Sequence, residues 1–131
     1  MMRLLDTSIC IPLINGADAQ MAQRLLAHPP GSVVLCSVVR AELCFGAHNS
    51  VRAAENLQRV DTFCRAFKSL PFDDAAAERY GVIRAQLRRE GRPIGANDLL
   101  IASIALSGGS TLVTRNRDEF ARVPGLDVEV W

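Results

Sequence analysis

The stretch Ile94-Gly95-Ala96-Asn97-Asp98-Leu99-Leu100-Ile101-Ala102-Ser103-Ile104-Ala105-Leu106 decides the fold. From Leu99 to Leu106 it is apolar except for Ser103, with no proline, glycine or charge. That pattern predicts a helix buried nearly all round. Asn97 is the expected N-cap, and Gly108-Gly109 supplies the stop. Asp98 then stands in the first helical turn, at the lip of the interior. A carboxylate there either answers the helix dipole, an effect of ~0.3–1 kcal/mol, or belongs to a site. The other acidic residues decide between the two.

Working outward, short apolar runs alternate with amphipathic ones. Arg3-Leu4-Leu5 reads as a buried strand ending at Asp6. Ser8 is the expected cap of a helix through Ile9, Ile11 and Leu13, which places Pro12 near its start. Asn15-Gly16 breaks that helix, and Ala17 to Ala27 forms a second one with Met21 and Leu25 on one face. Val33-Val34-Leu35-Cys36 is a continuous apolar run, the mark of a central strand. Ser37 caps the helix that follows, with Val39, Leu43 and Gly46 at helical spacing and Glu42 about one turn in. Leu57, Val60, Cys64 and Phe67 mark another amphipathic helix. Leu70-Pro71-Phe72 reads as an edge strand, because proline is confined to edges. Asp73 or Asp74 caps a helix through Tyr80, Ile83 and Leu87, whose polar face carries Arg84, Arg88 and Arg89. After the central helix come a strand at Thr111-Leu112-Val113, a helical turn at Asp118-Glu119-Phe120 and a last strand at Val128-Glu129-Val130. Strand–helix alternation throughout predicts one α/β domain over residues 1–131, a parallel sheet flanked by helices on both faces.

Composition narrows the function classes. The chain has 131 residues, 49% of them hydrophobic, enough for one domain with a real core. No apolar run is long enough to cross a bilayer, and the N-terminus carries no signal-peptide pattern, so a cytoplasmic protein without a membrane partner is expected. The formal net charge is +1, and of the 15 basic residues only Lys68 is a lysine. Arginine's planar fork suits bidentate phosphate contact, whereas a single lysine far from any glycine-rich loop argues against P-loop or Schiff-base chemistry. Cys10, Cys36, Cys44 and Cys64 form no C-x-x-C pair and read as four buried, reduced thiols. His28 and His48 lack the paired spacing of a zinc site.

In a parallel α/β sheet, sites lie outside the C-terminal ends of the strands. Asp6 follows the first strand directly, and Glu42 lies on the helix after the second. Asn116, Asp118 and Glu119 follow the fourth, and Asp98 enters the same edge on its helix. Carboxylates gathered in one cleft raise each other's pKa, and no lysine is at hand to neutralise them. A bound divalent cation resolves the conflict, and oxygen-only ligands suit Mg²⁺ or Mn²⁺. The alternative is four independent caps and surface charges.

The quoted motifs, in order, are Leu4-Leu5-Asp6-Thr7-Ser8-Ile9-Cys10; Ser37-Val38-Val39-Arg40-Ala41-Glu42-Leu43 with Gly46-Ala47; Arg92-Pro93-Ile94-Gly95-Ala96-Asn97-Asp98-Leu99-Leu100-Ile101-Ala102; and Leu112-Val113-Thr114-Arg115-Asn116-Arg117-Asp118-Glu119-Phe120 through Leu126. In this order and spacing the chain resembles the PIN-domain ribonucleases, specifically the VapC toxins of type II toxin–antitoxin modules. The resemblance implies a parallel sheet flanked by helices and Mg²⁺-dependent endoribonuclease cleavage of structured RNA such as tRNA or ribosomal RNA, with Mn²⁺ an acceptable substitute. Asp6, Glu42 and Asp98 match the family's three acidic positions. For the fourth, many relatives carry an acidic residue where Asn116 stands, while others use the one just before the phenylalanine. Glu119 is therefore the first choice, Asp118 the next, and Asn116 a polar neighbour. Asn is usual where Ser8 stands, and a serine there implies a tuned site rather than a dead one. Thr7 and Thr114, with Ser8, are expected to orient the carboxylates. Arg84, Arg88, Arg92, Arg115 and Arg117 are candidates for holding RNA phosphates.

The implied partners are a cognate VapB-type antitoxin and a second copy of the chain, with Ile11, Leu13 and Ile14 as exposed apolar interface residues. The residues leave two other readings open. A phosphoacceptor domain of the response-regulator kind needs an acidic pair beside the first strand and a lysine after a late one, and neither is present. A non-catalytic PIN-fold binding module need not retain the acidic set.

Overall fold

A computed structural model describes residues Met1 to Trp131. In chain order the elements are β1 (Arg3–Leu5), α1 (Thr7–Asn15), α2 (Ala19–Leu26), β2 (Val33–Cys36), α3 (Ser37–His48), α4 (Ala53–Arg65), β3 (Lys68–Leu70), α5 (Asp74–Arg89), α6 (Ala96–Gly108), β4 (Thr111–Thr114), α7 (Arg117–Phe120) and β5 (Val128–Val130). The five strands form one sheet in the order β3-β2-β1-β4-β5, and every pairing is parallel.

β2 and β4 are buried along their whole length, as strands covered on both faces must be. The core is a single cluster of 26 buried residues that takes in the inner strands and the middle of α6. Leu99 and Ile101 through Ala105 are buried, so the Leu99–Leu106 run of α6 is buried nearly all round, as its composition predicts, while both ends of the helix are exposed. No helix is long and apolar enough to cross a membrane.

The strand ends depart from expectation where side-chain pattern and backbone pairing disagree. β3 spans Lys68–Leu70 rather than Leu70–Phe72. Pro71 has no N–H to donate, and the register instead pairs Val34 with Lys68 and Cys36 with Leu70. Lys68 is exposed on this edge strand, where a charge also discourages edge-to-edge association.

The helix caps also differ. α6 begins at Ala96 with Gly95 as N-cap, so Asn97 lies inside the helix and caps nothing. Cys36, not Ser37, precedes α3, without a side-chain cap bond. α1 is capped by Asp6, whose carboxylate accepts from the Ser8 N–H, so Ser8 is inside the helix and Pro12 falls in its middle. α2 starts at Ala19 with Asp18 as cap, and Asp73 caps α5 with Asp74 in its first turn. Of the four free cysteines three are buried, whereas Cys44 is exposed on the outer face of α3.

Candidate active site

The strand order places β1 between β2 and β4, so successive connections leave the middle of the sheet in opposite directions. A crevice opens outside the C-terminal ends of the strands at such a point. Asp6 follows β1 directly, and Thr114 ends β4 beside it.

Asp6 is 5% exposed. One carboxylate oxygen accepts from the Ser8 backbone N–H at 2.8 Å and from the Ser8 hydroxyl at 2.5 Å. The other accepts from the Thr114 hydroxyl at 2.5 Å. The two hydroxyls are themselves held from the β4–α7 turn, Ser8 Oγ accepting from the Arg115 N–H at 3.0 Å and Thr114 Oγ1 from the Asn116 N–H at 2.9 Å. Burial pushes the Asp6 carboxyl up, and the Ser8 and Thr114 hydrogen bonds hold it part-way back. Asp6 therefore has two duties: it caps α1 and presents a buried carboxylate at the crevice.

Glu42 lies in the second turn of α3, half-buried, and accepts from the Thr7 hydroxyl at 2.7 Å. Thr7 is the first residue of α1, so one hydroxyl ties the β1 end to α3.

Asp98 occupies the first turn of α6 and is half-buried. Its carboxyl is pushed up to about 7, first by burial, then by a hydrogen bond with Glu119 and the charge of Glu119, and then by the charges of Asp6 and Glu42. Glu119 moves the opposite way, held below its usual range chiefly by the Gly95 N–H and further by the Asn116 amide. Its two oxygens accept from Gly95 N at 2.5 Å and from Asn116 Nδ2 at 2.6 Å. The shared proton thus sits on Asp98, and Glu119 is the anion. Arg122 donates to the Pro93 carbonyl at 2.9 Å, which ties the segment after α7 to the loop entering α6.

Carboxylates from both ends of the chain and from its middle therefore meet at one sheet edge. No three of them surround a common point closely enough to ligate one ion; Asp6, Glu42 and Glu119 each face an N–H or hydroxyl donor, and Asp98 faces Glu119. Asp118 is exposed and stands apart, so of the two acidic residues on α7 it is Glu119 that reaches Asp98. The crevice continues into an open groove of about 620 Å³ whose wall includes Thr7, Glu42, Asn97, Leu100 and the exposed Phe45.

The candidate arginines divide. Arg84, Arg88, Arg92 and Arg117 are exposed. Arg115 is ion-paired with Asp18, the cap of α2, and is occupied in holding that turn. Of the expected interface residues only Ile11 stands exposed; Leu13 and Ile14 pack partly into the core. Ile11 and Ile14 line an apolar groove of about 240 Å³ between α1, α3 and α4 that reaches Glu42.

Gly95 was not expected to take part. Its N–H holds Glu119, and a Cβ there would lie 3.3 Å from Glu119 Oε1 and 3.7 Å from Asp98 Oδ2. The glycine before an acidic helix start was the available signal. Two alternative chemistries lose their groups. Lys68 begins β3, at the sheet edge opposite the carboxylates. Burial raises the Cys10 and Cys36 thiols, which keeps them protonated rather than nucleophilic.

The PIN domain family matches residues 3–126. The chain is 41% identical over 128 residues to the tRNA(fMet)-specific endonuclease VapC of Shigella flexneri, covering 98% of this chain and 96% of that protein. It is 36% identical over 132 residues to ribonuclease VapC2 of Rickettsia felis, covering 100% and 98%. Among solved structures, DNA-bound VapBC from Salmonella typhimurium superposes with a TM-score of 0.95 at 35% identity, over 100% of this chain and 98% of that one. Rickettsia felis VapBC2 bound to a promoter DNA fragment gives 0.92 at 36% identity, over 100% and 99%. The family match over residues 3–126 and the identity to these relatives over nearly the whole chain show that the chain belongs to the VapC family of PIN-domain ribonucleases.

Proposed function

We propose that this protein is a Mg²⁺-dependent endoribonuclease toxin that hydrolyses phosphodiester bonds in structured RNA and is neutralised by a cognate VapB-type antitoxin. The observation that carries the reading is convergence: Glu119, held on the Gly95 N–H, lies beside Asp98 at the sheet edge where Asp6 leaves β1 and the Thr7 hydroxyl holds Glu42. Separate caps and surface charges would not converge in this way. Transfer RNA is the first substrate to test, because the Shigella flexneri relative is a tRNA(fMet)-specific endonuclease.

The donor set fits a hard cation. Every candidate ligand is a carboxylate oxygen, and Asp98 keeps a proton to about pH 7 that a cation would replace. Mg²⁺ takes one or two protein carboxylates plus water and substrate phosphate, so Asp6 and Asp98 suffice, with Glu42 and Glu119 beyond them. When bound, the ion neutralises the cleft against an anionic substrate, polarises the phosphoryl oxygen and lowers the pKa of a bound water. The chain's own residues supply the rest. Ser8 and Thr114 fix the Asp6 carboxylate, Thr7 fixes Glu42, and Gly95 with Asn116 fixes Glu119. A site held this way keeps its geometry without reorganising during reaction.

The apolar groove over Ile11 and Ile14 runs to Glu42, and an antitoxin segment seated there would end at the carboxylates. Pairing of two copies through exposed Ile11 is the remaining expectation from the resemblance; sedimentation of the free toxin at high concentration tests it, and a strict monomer refutes it.

The test of the activity is incubation of purified toxin, freed of antitoxin, with bulk tRNA and with ribosomal RNA. Cleavage is expected with Mg²⁺ or Mn²⁺, none with EDTA, and none in Asp6→Asn or Asp98→Asn. Cleavage that survives both substitutions overturns the reading.

A further inference from the structure

Behind the first turn of α6 lies a further cavity, of about 260 Å³, distinct from the carboxylate crevice. Tyr80, Ile94 and Leu99 form its apolar lining, and Arg84 and Arg88 stand at its wall. We propose that this cavity receives one unstacked nucleobase of the RNA, next to the scissile bond, while Arg84 and Arg88 hold the phosphates that flank it. The proposal rests on the ribonuclease reading and names the part of the substrate that this face takes.

Three observations converge. The first is chemical. The lining offers an aromatic ring and apolar contacts, and the rim offers guanidinium groups, the combination that binds single-stranded nucleic acid. Tyr80 is held in place by an edge-to-face contact with Phe72, ring centroids 6.1 Å apart, and its hydroxyl accepts from Arg84 at 2.9 Å. The Arg84 guanidinium also lies 5.8 Å from the Tyr80 ring centroid.

The second is electrostatic. Arg84 and Arg88 are one helical turn apart, a like-charge spacing that destabilises a helix unless an anion sits between. The ion pairs of the molecule use Arg3, Arg52, Arg65 and Arg115, so neither Arg84 nor Arg88 has a carboxylate partner. Two unneutralised guanidinium groups at the rim of an apolar cavity complement a base with its phosphates.

The third is position. Leu99 lines the cavity and directly follows Asp98 in the first turn of α6. At 1.5 Å of rise per residue, Ala96 to Leu99 spans only about 4.5 Å along the helix. The carboxylates and the cavity therefore occupy neighbouring faces of one turn, within reach of adjacent nucleotides of one strand. A base can enter such a cavity only where it is not stacked in a duplex, so the cavity selects loops over helices.

The test measures binding of bulk tRNA by fluorescence anisotropy across a salt series, with every variant placed in the Asp98→Asn background so that no RNA is cut. Arg84→Ala with Arg88→Ala should reduce the slope of log affinity against log salt by about 1.4, the value for two phosphate contacts on a single strand. Tyr80→Ala should weaken binding about tenfold, while Tyr80→Phe stays within about threefold. Tyr80→Ala also removes packing against Phe72, so its thermal unfolding is measured alongside; the arginine variants alter exposed side chains and stay informative if it fails to fold. If the parent binds tRNA and the arginine variants keep its affinity and salt slope, the cavity proposal is overturned and the ribonuclease reading stands. If they keep RNA affinity but lose antitoxin, the cavity is a protein site and the proposal is likewise overturned. If the parent binds no RNA, both fall.

Discussion

Asp98→Asn should make this protein more stable at pH 8 and inactive. The substitution keeps the shape of the side chain and a donor toward Glu119 while removing the charge. Asp98 moves from an ordinary 3.8 to about 7 in the folded protein. A folded-state pKa above the unfolded value contributes stability that is complete below about pH 4 and is lost as pH rises through 7. At 1.36 kcal/mol per pH unit the upper bound is about 4 kcal/mol. Asp98 is half exposed, so solvent and salt screen most of this, leaving ~1–2 kcal/mol. For a domain of this size that corresponds to a rise in Tm of roughly 3–10 °C at pH 8 and to no difference at pH 4. Mg²⁺ should raise the Tm of the parent at pH 8 and leave the variant unmoved, because an ion that binds only the folded state stabilises by mass action. Thermal unfolding of both proteins at pH 4 and pH 8, with and without Mg²⁺, reads all four cases. A variant less stable than its parent at pH 8, or equally stabilised at both pH values, would refute the reasoning.

Substitutions at three further positions separate site from scaffold. Asp6→Asn retains a good N-cap and should stay folded while losing cleavage, whereas Asp6→Ala also loses the cap, at about 1 kcal/mol or more in denaturant unfolding. Gly95→Ala places a methyl 3.3 Å from Glu119 Oε1 at a backbone with φ −57° and ψ 149° that alanine accepts. It should lower kcat at least tenfold in an RNA cleavage assay, with stability changed by no more than about 1 kcal/mol. Thr7→Val removes the hydroxyl that holds Glu42 and should lower kcat about tenfold with KM little changed, which steady-state kinetics on tRNA would show.

Most of the fold was legible because its inner elements are chemically extreme. Val33–Cys36 and the run after Asp98 are so apolar that only burial on all sides suits them, and their order forces a parallel sheet. The edges were less legible, since Lys68-Ser69-Leu70 pairs through its backbone and carries no apolar signature. The same holds for caps. Ser8, Ser37 and Asn97 have the right chemistry, but Asp6, Cys36 and Gly95 have the required backbone position. In the site, acidic type and strand-end position pointed to Asp6, Glu42 and Asp98 but left Asp118 and Glu119 side by side; the resemblance preferred Glu119, and the folded chain brings Glu119 to Asp98 while Asp118 stays exposed. Proton sharing between Asp98 and Glu119 was not visible, because it depends on the Gly95 N–H lying between α6 and α7. Nor was the Tyr80 cavity, whose walls come from α5, from the loop into α6 and from the first turn of α6, and which only tertiary packing joins.

The central claim is that Asp6 and Asp98, 92 positions apart in the chain, face one cation. Anomalous diffraction from crystals soaked in Mn²⁺ tests it most directly. The account predicts one peak at the sheet edge, about 2.1 Å from a carboxylate oxygen of each residue and lost in Asp98→Asn. A peak that touches neither residue, or none at saturating Mn²⁺, would contradict it.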